Sequence, residues 1–342
     1  LHEIEHGEDE LRMSRVDRSR TSASQDAVTV DLSAVIVTAS PDGPLVLVRS
    51  QDGAAPLALP AGPLEPQHRT LEAGLRNWVE ELTGYNLGYV EQLYSFGDAN
   101  RHASARGQTS RSLSIGYIAL VRETRPKQSS DISWASWYRF FPWEDMRSGD
   151  EPGVMTRIRE SIAGWIAEAP HDARQDRESR STNAFGKSGD RWNEELVLER
   201  YELLYEIGLV PEAHRDGAAC WAPREAAIVE AESLQSDHRR ILATGISRLR
   251  GKIKYRPVVF ELMPPRFTFL QLQRTVEALA GIELHKPNFR RLVENQGLVE
   301  ETGSVSTNTG GRPARLLRFR RDILRERPTI GVGLPSARSQ KG

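Results

Sequence analysis

Residues 256–303 read RPVVFELMPPRFTFLQLQRTVEALAGIELHKPNFRRLVENQGLVEETG, a stretch whose own punctuation divides it into three helices and the start of a hairpin. Val258, Val259 and Leu262 make a short apolar helix that stops at Pro264-Pro265, because proline has no N–H with which to continue the ladder. Thr268 then caps a second helix. Gln271, three residues on, completes a Thr-x-x-Gln capping box, in which each side chain accepts from the other residue's backbone N–H. That helix runs to about Ala280 and ends at Gly281. A third helix opens with Pro287 in its first turn and ends near Gly297. Phe289, Leu292 and Val293 share its core-facing side; Asn288, Arg291 and Asn295 project from the opposite side, flanked by Arg290. A strand over 298–301, a tip rich in Gly, Ser, Thr and Asn, and a second strand over 314–319 follow. Three helices and a β-hairpin in this order describe a winged helix-turn-helix.

The chemistry of the module suits double-stranded DNA. A helix fits the major groove, where Arg pairs with guanine O6/N7 and Asn with adenine N6/N7. Lys286, Asn288, Arg290 and Arg291 are the candidate contacts on the third helix, with Thr268 and Gln271 at the mouth of the second. The tip Gly310-Gly311-Arg312-Pro313-Ala314-Arg315 supplies Arg312 and Arg315 for phosphates or a narrow minor groove. Arg318, Arg320 and Arg321 lie beyond it, as phosphate contacts or plain solubility. Charge points the same way. The 342-residue chain has a net charge of −1, yet residues 251–342 hold 17 Lys and Arg against 8 Asp and Glu. A basic block on an otherwise acidic chain is the footprint of a polyanion partner, or else a solvated tail, and the helix-turn-wing pattern favours the partner.

Outward from this block the text changes character. Residues 1–25 read as a flexible polar arm without the apolar core of a signal peptide. Strands are expected over 28–38, 44–49, 89–96 and 112–121. Residues 70–82 form a helix, with Leu71, Leu75, Trp78, Val79 and Leu82 on one face, Thr70 at the N-cap and Gly84 past the end. The aromatics Trp134, Trp137, Tyr138, Phe140, Phe141 and Trp143 predict a packed subcore. Helices are expected over 156–169, 192–207 and 225–249, and residues 170–189, poor in apolar side chains, read as a linker. The last helix has an apolar stripe suited either to pairing with a second copy or to packing on its own domain. No apolar run nears the roughly 20 residues that cross a bilayer. One cysteine, Cys220, excludes an internal disulfide and a cysteine-rich zinc site. These features predict a cytoplasmic protein with no membrane partner.

The elements Phe267-Thr268, Leu272-Gln273, Asn288-Phe289-Arg290-Arg291 and Gly311-Arg312-Pro313-Ala314-Arg315 resemble the C-terminal domain of the Nudix-related, NrtR-like transcriptional regulators of NAD metabolism. That family has a Nudix-like domain first. Here Leu59-Pro60-Ala61-Gly62-Pro63-Leu64-Glu65-Pro66 resembles the loop before a Nudix helix, and residues 70–85 the helix. Glu91-Gln92-Leu93-Tyr94-Ser95-Phe96-Gly97-Asp98 and Ser114-Ile115-Gly116-Tyr117-Ile118-Ala119 resemble the sensor sheet. The long segment 123–230 resembles the longer, alphaproteobacterial NadQ-type branch. The resemblance implies an α+β chain: arm 1–25, Nudix-like α/β/α sandwich 26–125, helical insert 126–235, winged helix 236–325 and tail 326–342.

Nudix hydrolysis needs Mg²⁺ on a first Glu and a Glu pair three and four residues later. Anchored on Gly84, the helix offers Trp78, Glu81 and Leu82; anchored on Gly62 and Arg76, it offers Asn77, Glu80 and Glu81. Neither frame supplies three carboxylates. The expectation is a non-catalytic sensor that needs no cofactor or metal and takes an adenine-nucleotide effector, which the resemblance implies to be ATP, NAD or ADP-ribose. Arg49, Glu81, Arg101 and Arg111 are its candidate contacts. The expected whole is a homodimeric repressor of NAD biosynthesis or salvage genes on a palindromic operator; the alternative is a Nudix hydrolase of ADP-ribose or a related dinucleotide.

Overall fold

Strand β1 (Thr29–Ser40) organises the N-terminal half because its alternation is apolar on both faces. It pairs antiparallel with β2 (Gly43–Gln51) and β4 (Ala61–Pro63), and parallel with β6 (Ser112–Leu120). With β3 (Ala54–Ala58), β5 (Tyr89–Phe96) and β7 (Ile132–Ser136) the sheet has seven strands, ordered β3-β2-β1-β6-β5, with β7 on β2 and β4 on β1. A computed structural model describes residues 28–332 apart from 41–42, 52–53, 86, 99–111, 123–130, 149–152, 188–189, 191, 229, 308–312 and 327–330. The arm and most of the expected tail therefore lie outside the described residues.

Leu32, Ala34 and Ile36 of β1 turn to one side, where Leu75 and Val79 of helix α1 (Leu71–Thr83) meet them. Thr70 Oγ1 accepts from Ala73 N at 3.0 Å, and Gly84 ends α1 in the left-handed region at φ 72°. Val35 and Val37 turn to the other side, covered by the 18-residue helix α6 (His238–Tyr255). The approach there is close: a Cβ on Gly245 would stand 3.0 Å from a Val35 methyl. Helix, sheet and helix make the α/β/α sandwich that the sequence led one to expect.

Helix α6 departs from expectation in two ways. It begins at His238, since 224–226 is only a 3₁₀ turn, and 11 of its 18 residues are buried, Ile241, Leu242, Ile246 and Leu249 among them. Its apolar stripe is consumed inside the chain and offers no face to a second copy. The helix also lies on the sheet, although the sequence boundary at 236 assigned it to the winged helix.

The insert contains α2 (Val154–Ala167), α3 (His171–Phe185), α4 (Val197–Ile207) and α5 (Pro211–Arg215). The linker expected over 170–189 is thus mostly a helix. Its sequence, HDARQDRESRSTNAF, has no apolar period, and arginines hold it instead. Arg174 donates to Ala167 O at 2.8 Å, Arg177 donates to Trp165 O and lies 4.4 Å over the Trp165 ring, and Arg180 pairs with Glu206. Trp137, Phe140, Phe141 and Trp143 form no separate subcore; they join the main core on the α6 side.

The C-terminal module has the expected order. A 3₁₀ turn at Val258–Glu261 leads to β8 (Phe267–Thr268), α7 (Phe269–Ala280), α8 (Lys286–Gln296), β9 (Val299–Ser306) and β10 (Ala314–Phe319), with strand order β8-β10-β9. Phe260 stacks on Phe319 at 4.3 Å, Phe269 meets Phe289 edge-on at 5.7 Å, and Leu272, Val276, Val293 and Leu317 fill the space between. Past α9 (Ile323–Glu326), Val332 is fully buried and its N–H bonds Ile253 O at 2.9 Å, so part of the expected tail is core.

Candidate nucleic-acid interface and effector contacts

Helix α8 buries one narrow side and presents the rest. Only Phe289 and Val293 are buried, and Pro287 stands in the first turn, where its missing N–H leaves no gap in the ladder. Gly297 ends the helix at φ 65°. Lys286, Arg290 and Arg291 are exposed and Asn288 is half-buried. Arg291 Nη2 donates to Asn288 Oδ1 at 3.5 Å, which draws the expected Asn and Arg readers side by side. Arg290 is already engaged: its Nε bonds Glu294 Oε1 at 2.8 Å, and its guanidinium lies 5.5 Å from the Phe269 ring centroid. Exposed pairs of this kind are worth only about 0–1 kcal/mol, so a phosphate can displace the glutamate at little cost.

Thr268 and Gln271 close the start of α7. Thr268 N donates to Gln271 Oε1 at 2.7 Å, and Gln271 N to Thr268 Oγ1 at 3.2 Å, a complete capping box at the start of α7. Thr268 is buried, which leaves Gln271 as the outward member of the pair. On the hairpin, Arg315 pairs with Glu301, and Arg318 with Glu300 at 2.7 Å, across the β9–β10 ladder. Both arginines are highly exposed. The tip with Arg312 lies outside the described residues.

The Nudix-type helix contrasts with this. The ring of Trp78 lies flat against Gly62, so close that a Cβ there would stand 3.1 Å from it, and Leu82 packs in the same apolar cluster. These two side chains occupy two of the three carboxylate positions in the frame set by Gly84. In the other frame Asn77, Glu80 and Glu81 are all exposed. Among the described residues no group of three or more His, Cys, Asp or Glu is placed to hold a metal ion. The donor set therefore does not fit a Nudix Mg²⁺ cluster. Arg76, which anchored that second frame, pairs with Glu72 at 2.8 Å and donates to Leu87 O, and to Gly88 O at 3.2 Å; it ties α1 to the turn before β5.

Of the expected effector contacts, Arg49 sits on β2 opposite Ala58 and Ile132. Its Nε is buried without a hydrogen-bond partner, an uncommon state for a guanidinium nitrogen. Glu81 is exposed on α1. Arg101 and Arg111 lie outside the described residues.

Sequence reasoning missed a buried polar centre. Glu144, Arg200 and Arg250 are each 0% exposed. Arg200 forks onto Glu144 (Nε to Oε1 2.6 Å, Nη2 to Oε2 2.9 Å), and Arg250 Nη1 donates to Glu144 Oε2 at 2.6 Å. A second buried pair, Arg239 with Glu212 at 3.1 Å, ties α6 to α5. The only sequence signal was an arginine amid the apolar positions of α6, which a solvated face explains equally well.

Residues 259–319 match the model of the NrtR DNA-binding winged helix domain. The ADPR responsive transcriptional repressor NtrR of Acinetobacter baylyi is 42% identical over 86 residues, which is 25% of this chain and 34% of that protein. The chain thus matches about a third of the length of this curated relative. The crystal structure of Shewanella oneidensis NrtR complexed with a 27mer DNA superposes with TM-score 0.50 at 20% identity, over 86% of this chain and 94% of that one. The Nudix domain of the same Shewanella protein complexed with ADP ribose is 22% identical over 34% of this chain and 77% of that one, with TM-score 0.30. Residues 259–319 are thus similar to the NrtR DNA-binding winged helix domain, and the chain as a whole shares the fold of the Shewanella oneidensis protein.

Proposed function

We propose that this protein is a DNA-binding transcriptional regulator, a repressor of NAD biosynthesis or salvage genes, whose Nudix-like domain senses an adenine nucleotide and does not hydrolyse it. The observation that carries the reading is α8: a short helix with only two buried residues, showing Lys286, Asn288, Arg290 and Arg291 outward, in the module related to a named repressor. Such a face is matched to the major groove, with Arg315 and Arg312 on the hairpin as phosphate or minor-groove contacts. Gln271, outward at the start of α7, joins them; Thr268 acts through its cap.

The effector we favour is ADP-ribose, after the Acinetobacter baylyi relative's name, with ATP and NAD as the other candidates. Arg49 supports a phosphate-bearing ligand, since its buried Nε lacks an acceptor. Trp78 and Leu82 in place of carboxylates support binding without cleavage. A palindromic operator would call for two copies of the chain related by a two-fold axis. Binding to promoter fragments of NAD synthesis and salvage genes, measured at fixed salt with ADP-ribose, NAD or ATP present, tests the reading. A specific complex whose affinity changes with one nucleotide is the expected result. Release of AMP from ADP-ribose with Mg²⁺, and no complex on any promoter, would replace the regulator with a hydrolase.

A further inference from the structure

The end of α7 is held from outside its own module. An α-helix leaves its last carbonyls without intrahelical donors, and here the donors come from the sheet domain and α6. Tyr138 Oη donates to Ala278 O at 2.7 Å, Arg250 Nε to Leu279 O at 2.9 Å, and Met146 N to Gly281 O at 2.8 Å. Gly281 must be glycine twice over. Its φ is +72°, and a Cβ there would strike Glu144 O and stand 2.7 Å from Arg250 Nη2. Met146 and Ile282 form a parallel bridge beside it.

Behind these contacts lies Glu144. It is the one carboxylate shared by Arg200, from the insert helix α4, and Arg250, from α6. The remaining guanidinium N–H groups reach Ala184 O and Asn193 O at 3.0 Å and Glu194 O at 3.1 Å. Two buried cations on one buried anion hold only while every member is present, because removing one strands the others away from water. Glu144 ends the 3₁₀ turn Pro142–Glu144, which is joined to β7 through a first 3₁₀ turn at Trp137–Arg139. Strand β7 is in register with β2, Ile132 opposite Arg49, and Trp134 of β7 meets the Tyr85 ring beyond α1 at 6.1 Å. A continuous path of strand and buried ion cluster thus runs from the Arg49 strand to the helix preceding α8.

We propose that Glu144 is a positioning residue for the DNA-reading helices: with Arg200 and Arg250 it clamps the C-terminal end of α7 to the segment that follows β7, and it carries the state of the Arg49 end of the sheet to α8. The clamp itself rests on geometry alone. Its role in effector response rests on the regulator reading above, and requires that nucleotide favour one pose of α7 over another. Without such a difference in affinity no signal passes.

The test uses the full chain and two variants. Glu144→Gln keeps the shape of the side chain and removes the charge the two arginines share; Tyr138→Phe removes one hydroxyl and leaves the cluster whole, so it serves if the first variant does not fold. Amide hydrogen exchange should rise at least tenfold in Glu144→Gln at 276–282 and at Met146, and several-fold in Tyr138→Phe, with β1 and α1 unchanged. A uniform rise over the chain, or none, overturns the clamp. DNA affinity is then compared with and without ADP-ribose. In Glu144→Gln the ratio should move toward one, and in Tyr138→Phe part of the way, while calorimetric ADP-ribose binding stays as in the unmodified chain in both. An unchanged ratio overturns the transmission. If the unmodified chain binds neither DNA nor ADP-ribose, the regulator reading fails and the transmission with it, and the exchange data still decide the clamp.

Discussion

Helices α1 and α8 are built alike and end up differently. Each starts at a marked N-terminus, Thr70 or Pro287, and each stops at a left-handed glycine, Gly84 or Gly297. In α1, in the frame set by Gly84, two of the three positions that hydrolysis would need are occupied by Trp78, pressed on Gly62, and Leu82, packed in the core. In α8 packing claims only Phe289 and Val293 fully, and Lys286, Arg290 and Arg291 face out. The difference teaches that positions taken over by packing are closed to polar side chains, because placing a charge there breaks the core. Where packing claims only a narrow stripe, the outer face stays free for recognition.

The strongest attempt to break this contrast is to rebuild carboxylates in α1. Trp78→Glu with Leu82→Glu should cost about 3–5 kcal/mol or more through lost burial and buried charge. A large fall in Tm is expected, with no AMP released from ADP-ribose and Mg²⁺; a stable, hydrolytic variant would show α1 to be a catalytic helix one step from activity. Next in size is Arg291→Ala on α8, which should weaken operator binding by roughly 1–3 kcal/mol if it reads a base, with Tm unchanged. Undiminished binding removes it from the reading set.

Thr268→Ala sharpens the distinction between contact and support. Loss of the capping box should lower stability by about 1 kcal/mol, seen as a shift in the urea midpoint. DNA affinity should follow only as far as α7 frays, and a sequence-selective affinity loss at unchanged stability would make Thr268 a contact after all. The smallest effect belongs to Lys286→Ala, which should weaken every DNA sequence alike and reduce the slope of log affinity against log salt by about 1. A loss confined to one operator would contradict that role.

Much of this was legible in the residues. The caps, prolines and glycines of 256–303 act within a few bonds, so Thr268, Gln271, Pro287 and Gly297 fixed the elements of the winged helix before any contact was known. The β-branched run over 28–38 and the single apolar face of α1 gave a strand and a helix of the sandwich, whose layering the family resemblance supplied. The missing carboxylates were visible too, since a metal site is a set of residue types at fixed spacing. The basic face of α8 followed from helical phase alone.

Long-range partners lay beyond that reach. The polar helix α3 reads as a linker because its anchors are arginines reaching Trp165, Ala167 and Glu206 on other helices. The stripe on α6 suits a second copy as well as a sheet, and only the approach of Gly245 to Val35 decides for the sheet. Arg200 and Arg250 lie 56 and 106 positions from Glu144 along the chain, and a buried ion triad leaves no periodic trace. Sequence by itself determined which local elements form and which chemistry they display, because propensity, capping and phase are short-range. Tertiary structure alone decided which charges are buried together and how the reading helices are held against the sheet, because those energies depend on partners distant in the chain.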